Sequence, residues 1–153
     1  MSGMVELNLP EFEYKVKKRE DGSWAIWDRL RERWVALTPE EWVRQHFVEW
    51  LITEKEFPAA LMGNEMSLTQ NGISRRCDTV VGNRSGQPLV IVEYKAPSIN
   101  ITQKVFDQIV RYNMVLHARY LMVSNGLEHY CCQIDYEAGS YRFLEDIPHY
   151  QDL

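Results

Sequence analysis

The run Leu89-Val90-Ile91-Val92, followed at once by Glu93-Tyr94-Lys95, constrains this chain more than any other stretch. A continuous apolar run bounded by turn residues reads as a strand buried on both faces. Side chains two apart on a strand share a face, so Glu93 and Lys95 project together from its polar end. A charge buried alone costs several kcal/mol, so this pair needs a partner, water or a metal. Upstream, Ile73–Val81 reads as a second strand, and Gly82-Asn83-Arg84-Ser85-Gly86 as the turn between the two. The short loop makes them an antiparallel hairpin, which brings Asp78 back alongside the far part of Pro88–Lys95. Two facing carboxylates repel unless a cation lies between them. Magnesium takes oxygen ligands and keeps several waters, so Asp78 and Glu93 form a plausible site for Mg2+ or Mn2+. A lysine beside such a site orients water or steadies charge developing on a phosphate. The plain alternative is an ordinary salt bridge at a sheet edge, and an E-x-K triplet alone is common by chance.

The remaining segments supply a frame for that hairpin. Tyr14–Lys18 and Trp24–Asp28 flank the turn signal Asp21-Gly22, and Arg33–Leu37 follows as a third short strand. Thr38-Pro39-Glu40-Glu41 starts a helix: Thr38 caps, Pro39 suits the first helical position and Glu41 completes a capping box. Trp42, Phe47, Trp50 and Leu51 recur at helical spacing as far as about Glu54. Pro97 stops the apolar strand, and a second helix is expected from Thr102 to His117. Gln108 and Tyr112, four apart, share one of its faces. Tyr120–Val123 is a further apolar strand, closed by Ser124-Asn125-Gly126. A helical crossover from Lys95 makes it parallel to Pro88–Lys95. Glu128–Ile134 and Ser140–Phe143 read as edge strands. The fold class expected is α/β (α+β), with a mixed central sheet flanked by helices and an N-terminal β-hairpin region. One domain is expected over residues 4–153: strands in 4–37, the core motifs in 38–126, and edge strands with a tail in 127–153. Met1-Ser2-Gly3 is set aside as extraneous to it.

Composition narrows the function. The 153 residues are 45% hydrophobic and 25% charged, ordinary for a globular domain. No apolar run approaches the roughly 20 residues that span a bilayer, and Met1–Leu9 lacks a signal-peptide pattern. Cys77, Cys131 and Cys132 make a poor disulfide framework and show no zinc-ligand spacing, which suits a reducing, cytoplasmic setting. The net charge of -5 argues against coating nucleic acid by bulk electrostatics, although basic residues gather locally, as at Arg75-Arg76.

The ordered set Thr38-Pro39-Glu40-Glu41-Trp42-Val43-Arg44-Gln45, Arg76-Cys77-Asp78, Glu93-Tyr94-Lys95, Gln108 with Tyr112, and Ser124-Asn125-Gly126 resembles the PD-(D/E)XK nuclease superfamily. More closely, it is similar to the N-terminal nuclease domain of type I restriction enzyme R subunits. The resemblance implies a magnesium-dependent endonuclease acting on DNA phosphodiester bonds. It implies Asp78 and Glu93 as metal ligands, Lys95 as the catalytic lysine, and Glu41 as the acidic residue that often completes the site. It also implies Gln108 and Tyr112 as companions beside the active site. Cys77 stands where the family has proline. No G-x-x-x-x-G-K-[ST] loop is present, so the resemblance extends to the nuclease core and not to an ATP-driven motor.

Two other readings are open. A non-cleaving module that binds nucleic acid or protein, with partner subunits, would account for the acidic net charge. A structural subunit would account for Trp24, Trp27 and Trp34, although such residues are more often core than interface.

Overall fold

A computed structural model of the chain describes residues 4–153; Met1-Ser2-Gly3 lie outside them. The first strands, β1 (Val16–Lys18), β2 (Trp24–Asp28) and β3 (Arg33–Ala36), form a small antiparallel sheet of their own. Helix α1 (Pro39–Thr53) follows. Thr38 caps it as the sequence suggests: its side chain accepts the Glu41 N–H, and Pro39 opens the first turn.

The main sheet has six strands in the order β4 (Met62–Gln70), β5 (Ile73–Gly82), β6 (Pro88–Tyr94), β7 (Tyr120–Ser124), β8 (His129–Asp135) and β9 (Ser140–Phe143). As expected, β5 runs antiparallel to β6, with Val80 opposite Ile91. Helix α2 (Gln103–Met114) carries the chain over the sheet, so β7 lies parallel to β6, with Ile91 opposite Leu121. This is the mixed sheet flanked by helices that the sequence predicts.

Strand β4 was not among the expected elements. It pairs with β5 along nearly its whole length, from Met62 opposite Val81 to Gln70 opposite Ile73. The connection is Asn71-Gly72, both at positive φ (52° and 79°), the backbone form that a two-residue hairpin turn demands.

The sheet separates two cores, as a strand buried on both faces requires. Val90, Val92 and Tyr94 of β6 pack with Val43, Phe47 and Leu51 of α1. Ile91 packs on the opposite side with Phe106, Ile109 and Val110 of α2. The alternation along Val90–Val92 thus feeds both layers, and it leaves Glu93 and Lys95 on the α2 parity where that core ends. No helix among the described residues is long and apolar enough to cross a membrane.

Candidate active site

Pairing between β5 and β6 stops at Thr79 opposite Val92. One residue further, the two strands part, and the gap is bridged by a side chain. An oxygen of Asp78 accepts the Tyr94 N–H at 2.9 Å, replacing the ladder bond that the backbone has lost. The Lys95 N–H passes instead to the Ser124 carbonyl of β7, at 2.9 Å. Asp78, Glu93 and Lys95 therefore converge where the sheet splays. They line one open cleft of ≈ 380 Å³ together with Thr38, Glu40, Arg44, Glu65 and Tyr94. The Lys95 amine lies 4.0 Å from the nearer Glu93 carboxylate oxygen.

From Tyr94, which lines the cleft, runs a buried chain of hydrogen bonds. The Tyr94 hydroxyl donates to Thr79 Oγ1 at 2.9 Å, and Thr79 donates to Asn64 Oδ1 at 2.7 Å. Asn64 then donates from Nδ2 to Asp28 at 2.9 Å. All four residues are buried, and Asp28 also accepts the Leu30 and Arg31 backbone N–H groups and the Arg31 guanidinium. A fully satisfied buried network is rigid. Here it ties the small sheet, through Asp28, to the two strands that carry the carboxylates.

One wall is an ion-pair array centred on Arg44, whose side chain is 8% exposed. Arg44 donates to both oxygens of Glu41, to Glu65 at 2.8 Å and to the Asp78 carbonyl at 2.7 Å. Burial alone would favour loss of its proton, but these partners outweigh that and hold Arg44 charged. Glu65 is also held by Arg76 at 3.0 Å, and the two guanidinium groups bring its carboxyl below its ordinary value against the effect of burial.

Asp78 and Glu93 are treated differently. Burial raises the pKa of both carboxyls above the ordinary carboxylate value. For Glu93, repulsion from Asp78 adds to burial and Lys95 opposes it. For Asp78, the Tyr94 N–H and Arg44 oppose burial and Glu65 adds to it. The Tyr94 N–H is the one hydrogen bond made to these two carboxylates by the described residues. Two partly buried carboxylates, short of donors and repelling across a cleft, form an oxygen set that fits a hard divalent cation completing its shell with water. Among the described residues, no group of three or more His, Cys, Asp and Glu side chains comes together as a metal site, so such an ion would rest on this pair.

Glu41, expected from the resemblance as a third acidic ligand, is not free to act as one. One oxygen accepts from Arg31 and Arg44, the other from Arg44 and Gln45. Its neighbour Glu40 is exposed and lines the cleft instead. Gln108 and Tyr112 do lie on one face of α2, but that face is exposed and stands apart from the cleft lining. Tyr112 lies under the Arg75 guanidinium, 4.4 Å from ring centre to Cζ, and its carbonyl accepts from Arg75. Ser124 ends β7, and Asn125-Gly126 begin the tight connection to β8 that the sequence predicts. Asn125 Oδ1 accepts the Leu127 and Glu128 N–H groups, and Asn125 Nδ2 holds the Ile99 carbonyl of the segment that leaves Lys95. Gly126 has φ 87°, a backbone form that strains any side chain, and a Cβ there would also press on the Leu7 methyl groups, so glycine is favoured.

Sequence reasoning missed Arg44, Glu65, Asn64 and Asp28 as parts of the site. Arg44 had a visible signal in its three-residue spacing from Glu41, which brings helical side chains together. Glu65 and Asn64 had none without β4.

A splayed antiparallel hairpin bearing an Asp and an E-x-K triplet, then a helical crossover to a parallel strand, defines a restriction-endonuclease-like domain. The family model described as type I restriction enzyme R protein N terminus matches residues 39–148, and the chain belongs to that family. In three dimensions the chain is similar to a fragment assigned as an HsdR subunit of a type I restriction enzyme from Vibrio vulnificus YJ016. The TM-score is 0.51 at 21% identity, covering 73% of this chain and 24% of that one. That likeness is one of fold, and this chain spans well under two thirds of the other's length. No curated protein matches it significantly in sequence.

Proposed function

We propose that this domain is a Mg2+- or Mn2+-dependent nuclease acting on DNA phosphodiester bonds. Asp78 and Glu93 would hold the cation, and Lys95 would act on water or phosphate. The carrying observation is a contrast of partners: Glu41 and Glu65 around Arg44 are saturated by arginines, whereas Asp78 and Glu93 share a cleft with scarcely a donor between them. A bound divalent ion would supply charge neutralisation at the phosphate and a water of lowered pKa. The chain's own residues set the geometry. The Tyr94 N–H fixes one Asp78 oxygen and leaves the other without a donor among the described residues. Glu93 and Lys95 share a strand face, so the amine stands beside the acidic pair, where it can orient a water or meet charge developing on phosphate oxygen. Membership of the R-protein family supports DNA as substrate and further restriction subunits as partners, in the cytoplasm where such DNA lies.

Calorimetry with Mg2+ or Mn2+ on the wild type and on Asp78→Ala tests the site. Cleavage of duplex DNA with and without chelator tests the chemistry. Binding should disappear in Asp78→Ala. Lys95→Ala should still bind the ion yet lose turnover. Cleavage that persists in chelator, or in Asp78→Ala, would falsify the mechanism. The net charge of -5 keeps a second reading alive, a non-cleaving module that binds nucleic acid or protein. Ion binding without cleavage would select it.

A further inference from the structure

Beyond Thr79 and Val92, β5 leaves β6 but stays paired with β4, so Met66–Gln70 and Ile73–Cys77 continue as a two-stranded ribbon past the end of the sheet. At roughly 3.3 Å per residue, the five paired positions reach about 16 Å from Cys77 to the turn. The root of this ribbon is fixed and its end is free. Leu68 and Cys77 belong to the α2-side core, and Arg75 is clamped on Tyr112. The other face, Ser67 opposite Arg76 and Thr69 opposite Ser74, is exposed, as are Gln70, Asn71 and Gly72 at the tip. The roll of the ribbon is set next to the site: Glu65, where the pairing skips from Asn64–Thr79 to Met66–Cys77, has φ 56°, the left-handed form. Cys77 and Thr79, two residues apart, accordingly serve different sides of the sheet.

The chemistry of this ribbon is unlike that of the rest of the chain. From Met66 to Cys77 it carries two arginines and no acid, in a protein of net charge -5. Its outer face offers hydroxyl and amide groups that both donate and accept. A two-stranded ribbon fits the major groove of B-form DNA, about 12 Å wide and 8.5 Å deep, where base edges present such donors and acceptors. A-form duplex RNA has a deep, narrow major groove that excludes it.

We propose that the β4–β5 ribbon docks in the major groove of duplex DNA, with Arg76 on a phosphate, and so presents the adjacent backbone to the Asp78 cleft. The proposal rests on the nuclease reading for its choice of DNA. It extends that reading by naming the element that holds the duplex and the duplex form selected. Continuity carries it: Asp78 follows Cys77 directly, so an object gripped by the ribbon lies beside the carboxylates without any movement of the fold.

The test is fluorescence anisotropy with a labelled DNA duplex in chelator, where no cleavage intervenes. It compares the whole chain with Arg76→Gln, with Ser74→Asp and with Arg142→Gln, a remote exposed control. A thermal melt checks each fold. Ser74 is exposed and its hydroxyl bonds only to Thr69 among the described side chains, so Ser74→Asp should stay folded even if loss of the Arg76–Glu65 pair disturbs Arg76→Gln. Ser74→Asp should weaken duplex binding at least tenfold. Arg76→Gln should lower the slope of log affinity against log salt by about 0.9, the loss of one phosphate contact. Arg142→Gln should change neither. Ribbon variants that bind as the wild type does would overturn the proposal, as would equal affinity for duplex RNA or single-stranded DNA, or no DNA binding at all. Each of those results leaves the ion-binding test of the Asp78–Glu93 site standing, so the two readings fail separately.

Discussion

Two groups of carboxylates lie at or beside one cleft, and the fold serves them in opposite ways. Around Arg44, Glu41 of α1 and Glu65 of β4 receive Arg31, Arg44, Arg76 and Gln45. On the strand side, Asp78 and Glu93 receive one backbone N–H and a lysine at 4.0 Å. Both groups are largely withdrawn from water, so the contrast is one of partners and not of exposure. A buried carboxylate that is paired and bonded is part of the scaffold. One left repelling its neighbour costs stability in the free protein and is repaid only when a cation arrives. The acids of the scaffold and those proposed to hold the cation thus differ by what the fold withholds.

The largest expected effect comes from breaking the satisfied side. Arg44→Met would strand Glu41 and Glu65 with partial partners, and removing one member of a buried pair costs about 3–5 kcal/mol. Urea denaturation should show that loss, and Glu41→Gln added to Arg44→Met should recover part of it, since the uncompensated charge then goes. A loss under about 1 kcal/mol would show that the array is not the scaffold described.

Next in size is the response to a divalent ion. An ion that binds only the folded state at a hundredfold excess over its Kd stabilises by about 2.7 kcal/mol. Mg2+ or Mn2+ should raise the wild-type melting temperature accordingly and leave Asp78→Ala unmoved. An equal rise in both would place the ion elsewhere.

Acidity separates Asp28 and Glu65 from Asp78 and Glu93 by sign. The Asp28 and Glu65 carboxyls lie below their ordinary values in the folded state. They add stability above the unfolded carboxylate range, near about pH 4, and that stability is lost as pH falls through their folded values. The Asp78 and Glu93 carboxyls are raised. The folded state therefore holds their protons longer than the unfolded one, and stability falls as pH rises from the unfolded range through the folded values. In chelator, Glu93→Gln removes that loss. It should be more stable than wild type near neutral pH and gain nothing in strong acid. Saturating Mg2+ should reverse the order, because the ion needs the ionised pair. A stability difference that stays flat across the acid range would contradict the raised Glu93 value.

The legible parts of this protein are those that follow from local rules. The β5–β6 hairpin came from a turn between apolar strands, and the parallel β7 from a crossover long enough for a helix. The E-x-K triplet at the end of Leu89–Val92 marked the cleft. The misses have physical causes. Strand β4 has little alternation to read, since Asn64 is buried while Met66 is exposed and its outer half leaves the sheet. Its one plain signal is Asn71-Gly72, a pair that is the strongest short-range mark of a hairpin. Without β4, Glu65 and the Arg44 array could not be placed. Glu41 matched both a cap and a ligand in sequence, and only the arrival of Arg31 from ten residues upstream shows how its oxygens are used. Gln108 and Tyr112 kept their common helical face, but a face does not say which way it points.

The smallest effect expected sharpens the comparison most closely, because it concerns adjacent residues. Glu40 and Glu41 both sit in the first turn of α1, where carboxylates suit the helix dipole. Glu41 is saturated; Glu40 is exposed and borders the cleft without a protein partner among the described hydrogen bonds. Glu40→Gln should therefore cost only the dipole contribution, about 0.3–1 kcal/mol, well below the cost of disturbing the Arg44 array. Its charge still reaches the cleft through water, so calorimetry should show Mg2+ affinity falling by a few-fold at low salt and hardly at all at high salt, where exposed charges are screened. A loss of affinity as large as that of Glu93→Gln, persisting in salt, would make Glu40 a direct ligand. It would also move the boundary between the satisfied and the waiting carboxylates onto the first turn of the helix.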